Sequence, residues 1–152
     1  MWKSILTALI AGLAVQQSAL GQPISSADVN IVSVTGTATP QSFTCTAVIN
    51  NQNDDASAGT QVIVLMPLQV RIFRARVSGG PGHCRVLPGS GVYRENAICD
   101  LGSLPQGPTV TRTVTVTSTP STAGAGYPPS CGAFVYSAIG DINKTNNYKA
   151  SQ

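Results

Sequence analysis

The sequence predicts an all-β protein, a two-sheet β-sandwich of seven to nine strands, from three observations. Short segments in which apolar and polar residues alternate recur along the chain, and this period of two places successive side chains on opposite faces of a sheet. Charged residues make up only 10% of the sequence, which favours strands joined by turns over helices with charged outer faces. Four cysteines follow a predicted export signal, as in small domains held together by disulfides.

Residues 1–21 have the composition of a secretory signal peptide. Lys3 precedes an apolar run of about a dozen residues, and the small residues Ala19 and Gly21 predict cleavage after Gly21. The apolar run is too short to span a membrane, so we predict no transmembrane anchor. Residues 22–152 are then one domain, exported to a periplasm, a cell surface or the medium. Its net charge of about +2 is too weak to indicate nucleic acid as a partner.

The four cysteines stand at positions 45, 84, 99 and 131. An even number in an exported chain indicates two disulfides, for which three pairings exist. We predict Cys84–Cys99, because the two short strands that carry these residues would place them opposite each other, and therefore Cys45–Cys131. A zinc site formed by the thiols beside His83 is the alternative, although the Cys-x-x-Cys spacing typical of such sites is absent.

The predicted strands begin at residue 27. The first, residues 27–35, changes the parity of its apolar residues between Ile31 and Val32, which indicates a β-bulge or a strand that crosses between sheets. The second, residues 42–49, has one apolar face that includes Cys45, and the rest of the chain supplies partners for it. Further strands are predicted over residues 60–66, 69–77, 83–86, 96–101, 109–118 and 131–139, with a short closing strand over 148–151.

Two of these strands carry arginines among apolar residues. Arg71, Arg74 and Arg76 interleave with the apolar residues of 69–77, and we predict a solvated strand face, with contact to an acidic polymer as the alternative. Arg112 interrupts the apolar side of the Val/Thr strand 109–118 and is predicted to lie at the rim of the sheet.

This number of short strands, with no helical pattern after the signal, predicts an immunoglobulin-like sandwich. In such a fold the Cys45–Cys131 bond would join the second strand to the penultimate one and so connect the two sheets through the core.

Several short motifs occur in a recognisable order. They are Ala27-Asp28-Val29-Asn30-Ile31, Val48-Ile49-Asn50-Asn51, Leu65-Met66-Pro67, Cys99-Asp100-Leu101-Gly102-Ser103-Leu104 and Asp141-Ile142-Asn143-Lys144-Thr145-Asn146-Asn147. The chain thereby resembles the prokaryotic conserved-repeat domain of unknown function and is similar to the CARDB-type cell-adhesion domains of bacteria. The resemblance implies an immunoglobulin-like sandwich of bacterial surface or secreted proteins, with no catalysis.

No residue pattern indicates catalysis, a cofactor or a firm metal site. His83 is the only histidine, so no histidine pair exists, and we expect a surface side chain without a role. The glycine clusters do not open helices and are therefore turns and not phosphate-binding loops. Two loops rich in Asp and Asn, residues 50–55 and 141–147, either fold back on their own turns or hold calcium.

The leading hypothesis is a non-enzymatic structural or adhesive surface module of the bacterial envelope that contacts a protein or glycan or self-associates. The alternative is a soluble secreted or periplasmic binding protein for a glycan, a small ligand or a protein partner. The predicted contact loops are residues 79–82, 89–93 and 119–129, because long loops carry binding on such scaffolds. The candidate contact residues are Tyr93, Tyr127, Tyr136, Arg74 and Arg76.

Overall fold

The computed structural model describes residues 27–53, 57–68, 70–88, 95–120 and 129–152, so the predicted signal peptide lies outside the described residues. Within these ranges the chain forms nine strands and one 3-10 helix. They are β1 (Val29–Ala38), β2 (Phe43–Asn51), β3 (Ser57–Leu65), β4 (Ile72–Ser78), β5 (His83–Leu87), β6 (Asn96–Leu104), β7 (Gly107–Ser118), β8 (Gly132–Tyr136), the 3-10 helix Lys144–Asn146, and β9 (Tyr148–Ala150).

The strands form two antiparallel sheets, as the sequence predicts. One sheet has the order β1-β2-β7-β4 and the other has the order β5-β6-β3-β8-β9. Consecutive strands repeatedly change sheet, so the chain crosses between the layers, and no α-helix formed by the described residues covers either of them. None of the described segments forms a helix long and apolar enough to cross a membrane. The fold is an immunoglobulin-like two-sheet β-sandwich.

The alternation in the sequence determines which side chains fill the core. In β2 the residues Phe43, Cys45, Ala47 and Ile49 are buried, while the intervening Thr44, Thr46 and Val48 are partly exposed. The predicted irregularity in β1 is also confirmed, because the pairing of β1 with β2 shifts register between Ile31 and Ser33. This shift leaves Val32 outside while Ile31 and Val34 both pack inward.

Both predicted disulfides are present. Cys45 in β2 is bonded to Cys131, which directly precedes β8, so this bond joins the two sheets. Cys84 and Cys99 are bonded directly opposite each other on β5 and β6. Disulfides persist in oxidising compartments outside the cytoplasm, and the pairings leave no free cysteine for zinc.

The structure corrects the prediction for Arg112. This residue is buried, with only 6% of its surface exposed, and does not lie at a solvated rim. Its guanidinium donates a hydrogen bond to the carbonyl oxygen of Gly79. The Gly79–Gly80 turn after β4 supplies this acceptor, and it lies more than thirty positions away in sequence, which explains why the local pattern did not predict the burial.

Several strand boundaries also differ from the prediction. β4 begins at Ile72 and not at residue 69, and its pairing with β7 shifts register between Ile72 and Arg74, which leaves Phe73 64% exposed. β8 ends at Tyr136, three residues before the predicted end. Just past this end, the hydroxyl of Ser137 and the backbone N–H of Ala138 both donate to the carbonyl oxygen of Ala58.

Candidate binding surface

The outward side of the sheet β5-β6-β3-β8-β9 carries the largest set of exposed aromatic side chains in the described chain, and we call it the aromatic face. Alternation within each strand sends one set of side chains to the core and the other set to this face. In β8, Ala133 and Val135 are buried, whereas Phe134 and Tyr136 are each 42% exposed. Tyr148 of β9, 47% exposed, lies opposite Phe134.

The strand register arranges this face into three rows that run across the sheet. The central row is Tyr148, Phe134, Ile63, Ile98 and Arg85. The row on one side of it is Tyr136, Gln61, Asp100 and His83. The row on the other side is Ala150, Gly132, Leu65, Asn96 and Leu87. The centre is therefore apolar and aromatic, and one flank is polar.

The two rings at the end of the central row stack on each other, and we call this stacked pair the platform. The ring centroids of Phe134 and Tyr148 lie 4.4 Å apart, with the ring planes tilted by 32°. Cross-strand aromatic pairs of this kind hold each other in place. In the neighbouring row the hydroxyl of Tyr136 donates a hydrogen bond to Oε1 of Gln61. The platform and the start of the polar row are thus fixed by contacts within the sheet.

A cleft of about 220 Å³ lies at the other end of the polar row. Gln61, His83, Arg85, Ile98 and Asp100 line it. His83 and Asp100 stand opposite each other on β5 and β6, and Oδ1 of Asp100 accepts a 2.8 Å hydrogen bond from the backbone N–H of Gly102. None of these five lining residues is a serine, threonine or cysteine.

The predicted contact residues do not come together in one site. Tyr136 lies on the aromatic face, whereas Arg74 and Arg76 are exposed on the outer side of the other sheet, beside Thr117 and Thr115. Tyr93, Tyr127 and residues 89–93 lie outside the described residues, as do residues 121–128 of the loop 119–129. Among the predicted contact loops, the turn at residues 79–82 is described throughout and is exposed.

Sequence reasoning missed Phe134 and Tyr148, the centre of the platform. The alternation in β8 could have indicated that Phe134 faces away from the core, since Phe134 and Tyr136 alternate with the core residues Ala133 and Val135. The position of Tyr148 depends on the pairing of β9 with β8, which the sequence pattern does not reveal.

The Asp/Asn loop at residues 141–147 forms hydrogen bonds of the kind that organise turns. Oδ2 of Asp141 accepts from the amide of Asn147 at 2.9 Å, and Oδ1 of Asp28 accepts from the amide of Asn146 at 2.8 Å. Oδ1 of Asp141 also accepts from the backbone N–H of Asn143 at 3.0 Å. Within the described ranges, no three His, Cys, Asp or Glu side chains cluster as metal ligands. Asp54 and Asp55 of the other loop lie outside the described residues.

No protein-family model matches the sequence, and no curated protein matches it. The resemblance to the conserved-repeat and CARDB-type domains therefore stays a prediction from the motifs. Among solved structures, one similar chain is the endoglucanase CelQ from Clostridium thermocellum complexed with cellobiose and cellotriose, at 9% identity and a TM-score of 0.45 over 80% of this chain. This chain spans only 26% of that enzyme chain.

A second similar structure is AvmM, which catalyses macrocyclization in alchivemycin A biosynthesis. It shares 12% identity at a TM-score of 0.47, over 84% of this chain and 86% of AvmM. At these identities and TM-scores, neither match bears on what this chain does.

Proposed function

We propose that this protein is an exported, non-enzymatic adhesive module of the bacterial envelope that contacts its partner through the aromatic face. The observation that carries the proposal is the exposure of Phe134, Tyr136 and Tyr148 on neighbouring strands of one sheet. Contiguous exposed apolar side chains, bordered by polar ones, mark interaction sites on soluble domains. A strand face with no partner would be expected to carry Thr, Ser or charged residues instead. The other sheet comes closer to this pattern, with Arg74, Arg76 and the threonines of β7, although Phe73 of β4 is exposed there as well.

Two further observations support the individual parts of this proposal. Two disulfides agree with export to an oxidising compartment. The aromatic residues lie on strands and not on loops, so the contact surface is held rigidly and loses little side-chain freedom when a partner binds.

Cosedimentation with isolated bacterial envelopes tests the proposal. The wild-type protein is compared with the triple variant Phe134→Ala, Tyr136→Ala, Tyr148→Ala and with the control Arg74→Ala, Arg76→Ala, which changes the opposite sheet. We expect the wild type and the control to sediment with the envelopes and the triple variant to stay in the supernatant. Equal sedimentation of the triple variant would refute a role for the aromatic face.

Light scattering coupled to size exclusion separates this function from the second candidate, a soluble binding protein. A monomeric wild type that stays out of the envelope fraction would favour the soluble binder. A wild-type dimer that becomes monomeric in the triple variant would identify a second copy of the chain as the partner of the aromatic face.

A further inference from the structure

We infer that the aromatic face binds a neutral, linear polysaccharide whose chain lies across the strands, along the row from Tyr148 to Arg85. The inference rests on the proposed function, because it names the partner of the same surface. It follows from four properties of that surface, which are its aromatic platform, its polar flank, its charge and its area.

Because the rings of Phe134 and Tyr148 stack on each other, the inner face of each ring is covered, and an outer face of the pair is left to receive the apolar side of a sugar ring. A pyranose exposes several C–H groups on one side, and these pack on the electron-rich face of an aromatic ring, from which water is readily displaced. Ile63 and Ile98, partly exposed, continue the apolar strip beyond the two rings. A chain of sugars laid on this strip would contact apolar groups on four of the five strands, from β9 to β6, and would reach Arg85 on β5.

The polar row runs parallel to this strip and offers what sugar hydroxyls require. Gln61 and His83 can both donate and accept hydrogen bonds, and the carboxylate of Asp100 accepts them. These three residues line the cleft of about 220 Å³ beside the strip. Hydroxyl groups at the edge of a bound sugar would enter this cleft, while its ring stays on the apolar row.

The charges on the aromatic face favour an uncharged ligand. Arg85 and Asp100 line the same cleft, so the face has one fixed charge of each sign beside it. The outer side of the other sheet instead carries Arg74 and Arg76 on alternate positions of β4, with only threonine neighbours on β7. An acidic polymer would prefer that side, because charge complementarity steers association. The two sides of the sandwich therefore differ in the ligand charge that they attract.

The size of the face favours a narrow chain over a folded protein. Five strands spaced about 4.8 Å apart span about 19 Å, and three rows of side chains span about 13 Å along the strands. These spans join the axes of the outermost strands and rows, and with half a spacing added on every side the face covers roughly 480 Å². A standard protein–protein interface buries about 800 Å² on each partner. A single polysaccharide chain can fill such a strip.

Isothermal titration calorimetry on the oxidised protein tests the inference. The neutral probes are cellohexaose, xylohexaose and chitohexaose, and the charged probe is hexagalacturonate. We expect at least one neutral probe to bind, with an affinity that rises with oligosaccharide length until the chain spans the sheet. Phe134→Ala and Tyr148→Ala should each weaken binding about tenfold, and Arg74→Ala with Arg76→Ala should leave it unchanged. Circular dichroism and thermal melting of each variant verify that it is folded.

Two results would overturn the inference. One is a preference for hexagalacturonate that the double arginine variant abolishes. The other is that no neutral probe binds. If the triple aromatic variant still loses envelope binding in that case, the proposed function stands and only the polysaccharide is wrong. If the triple variant sediments like the wild type, the proposed function fails as well.

Discussion

The guanidinium of Arg112 lies directly against Gly80 and donates a hydrogen bond to the carbonyl oxygen of Gly79. A Cβ atom on Gly80 would overlap the guanidinium group. The Nε atom of Arg112 is buried without a hydrogen-bond partner among the described residues. The glycine turn between β4 and β5 is therefore shaped around a buried arginine that belongs to β7.

Gly80→Ala should lower the free energy of unfolding by about 1–3 kcal/mol, because the new methyl group must displace the Arg112 side chain. Gly140→Ala is the matched control, since no atom lies within 4 Å of a Cβ built there. Urea denaturation of both variants measures the difference. Equal stability of the two would show that the turn adapts without disturbing the arginine.

Removal of the inter-sheet disulfide should cost more stability than removal of the cross-strand one. Cys45–Cys131 closes a loop with a sequence separation of 86, and Cys84–Cys99 closes one of 15. The chain-entropy estimate is about 4.6 kcal/mol for the first and about 3 kcal/mol for the second. Guanidinium denaturation of Cys45→Ala/Cys131→Ala and of Cys84→Ala/Cys99→Ala tests this order. A reversed order would mean that the unfolded chain retains structure across the longer loop.

Ser57→Ala should destabilise the fold by about 1–3 kcal/mol, because a buried backbone donor loses its acceptor. The hydroxyl of Ser57, fully buried, accepts a 3.2 Å hydrogen bond from the N–H of Leu104. Ser137→Ala is the control, since its hydroxyl donates to the carbonyl of Ala58 in an exposed contact. Thermal melting of both variants gives the comparison, and a loss in Ser137→Ala as large as in Ser57→Ala would contradict the role of burial.

Asp141→Asn should lower stability by about 1 kcal/mol, because two hydrogen bonds to a carboxylate are weakened. Since amide donors already occupy this carboxylate, we expect millimolar Ca²⁺ to leave the melting temperature of the wild type unchanged. Differential scanning calorimetry with Ca²⁺, with Mg²⁺ and with a chelator provides the measurement. A rise specific to Ca²⁺ would establish the calcium interpretation of this loop in place of the turn interpretation.

The parts of the fold that local alternation controls could be predicted from the sequence. The buried side of β2 and the bulge after Ile31 follow from the parity of apolar residues. The disulfide pairing followed from the same strand assignments, because Cys84 and Cys99 fall on two strands separated by one short loop.

The features that the sequence analysis predicted wrongly or missed depend on which strands become neighbours. Arg112 has the parity of a core residue, but only the distant turn at Gly79 makes its burial possible. The platform of Phe134 and Tyr148 similarly requires the pairing of β8 with β9. The three predicted contact segments were loops, and Tyr136 was the one aromatic candidate on a predicted strand, whereas the exposed aromatic residues described by the structure lie on strands.

The inter-sheet disulfide also determines how the domain would respond to tension. If the chain is pulled between residues 27 and 152, the segment from Cys45 to Cys131 cannot lengthen while the bond is intact, and about 300 Å of extended chain stays protected. Only β1, β8 and β9 lie outside this protected loop, and the rings of Phe134 and Tyr148 belong to β8 and β9. Under tension, β8 and β9 would separate from the sheet first, which would move the rings of Phe134 and Tyr148 apart and release a bound polymer. The disulfide-closed core would still be folded at that point, so the strands could pair again and the adhesive contact could re-form when the tension ends.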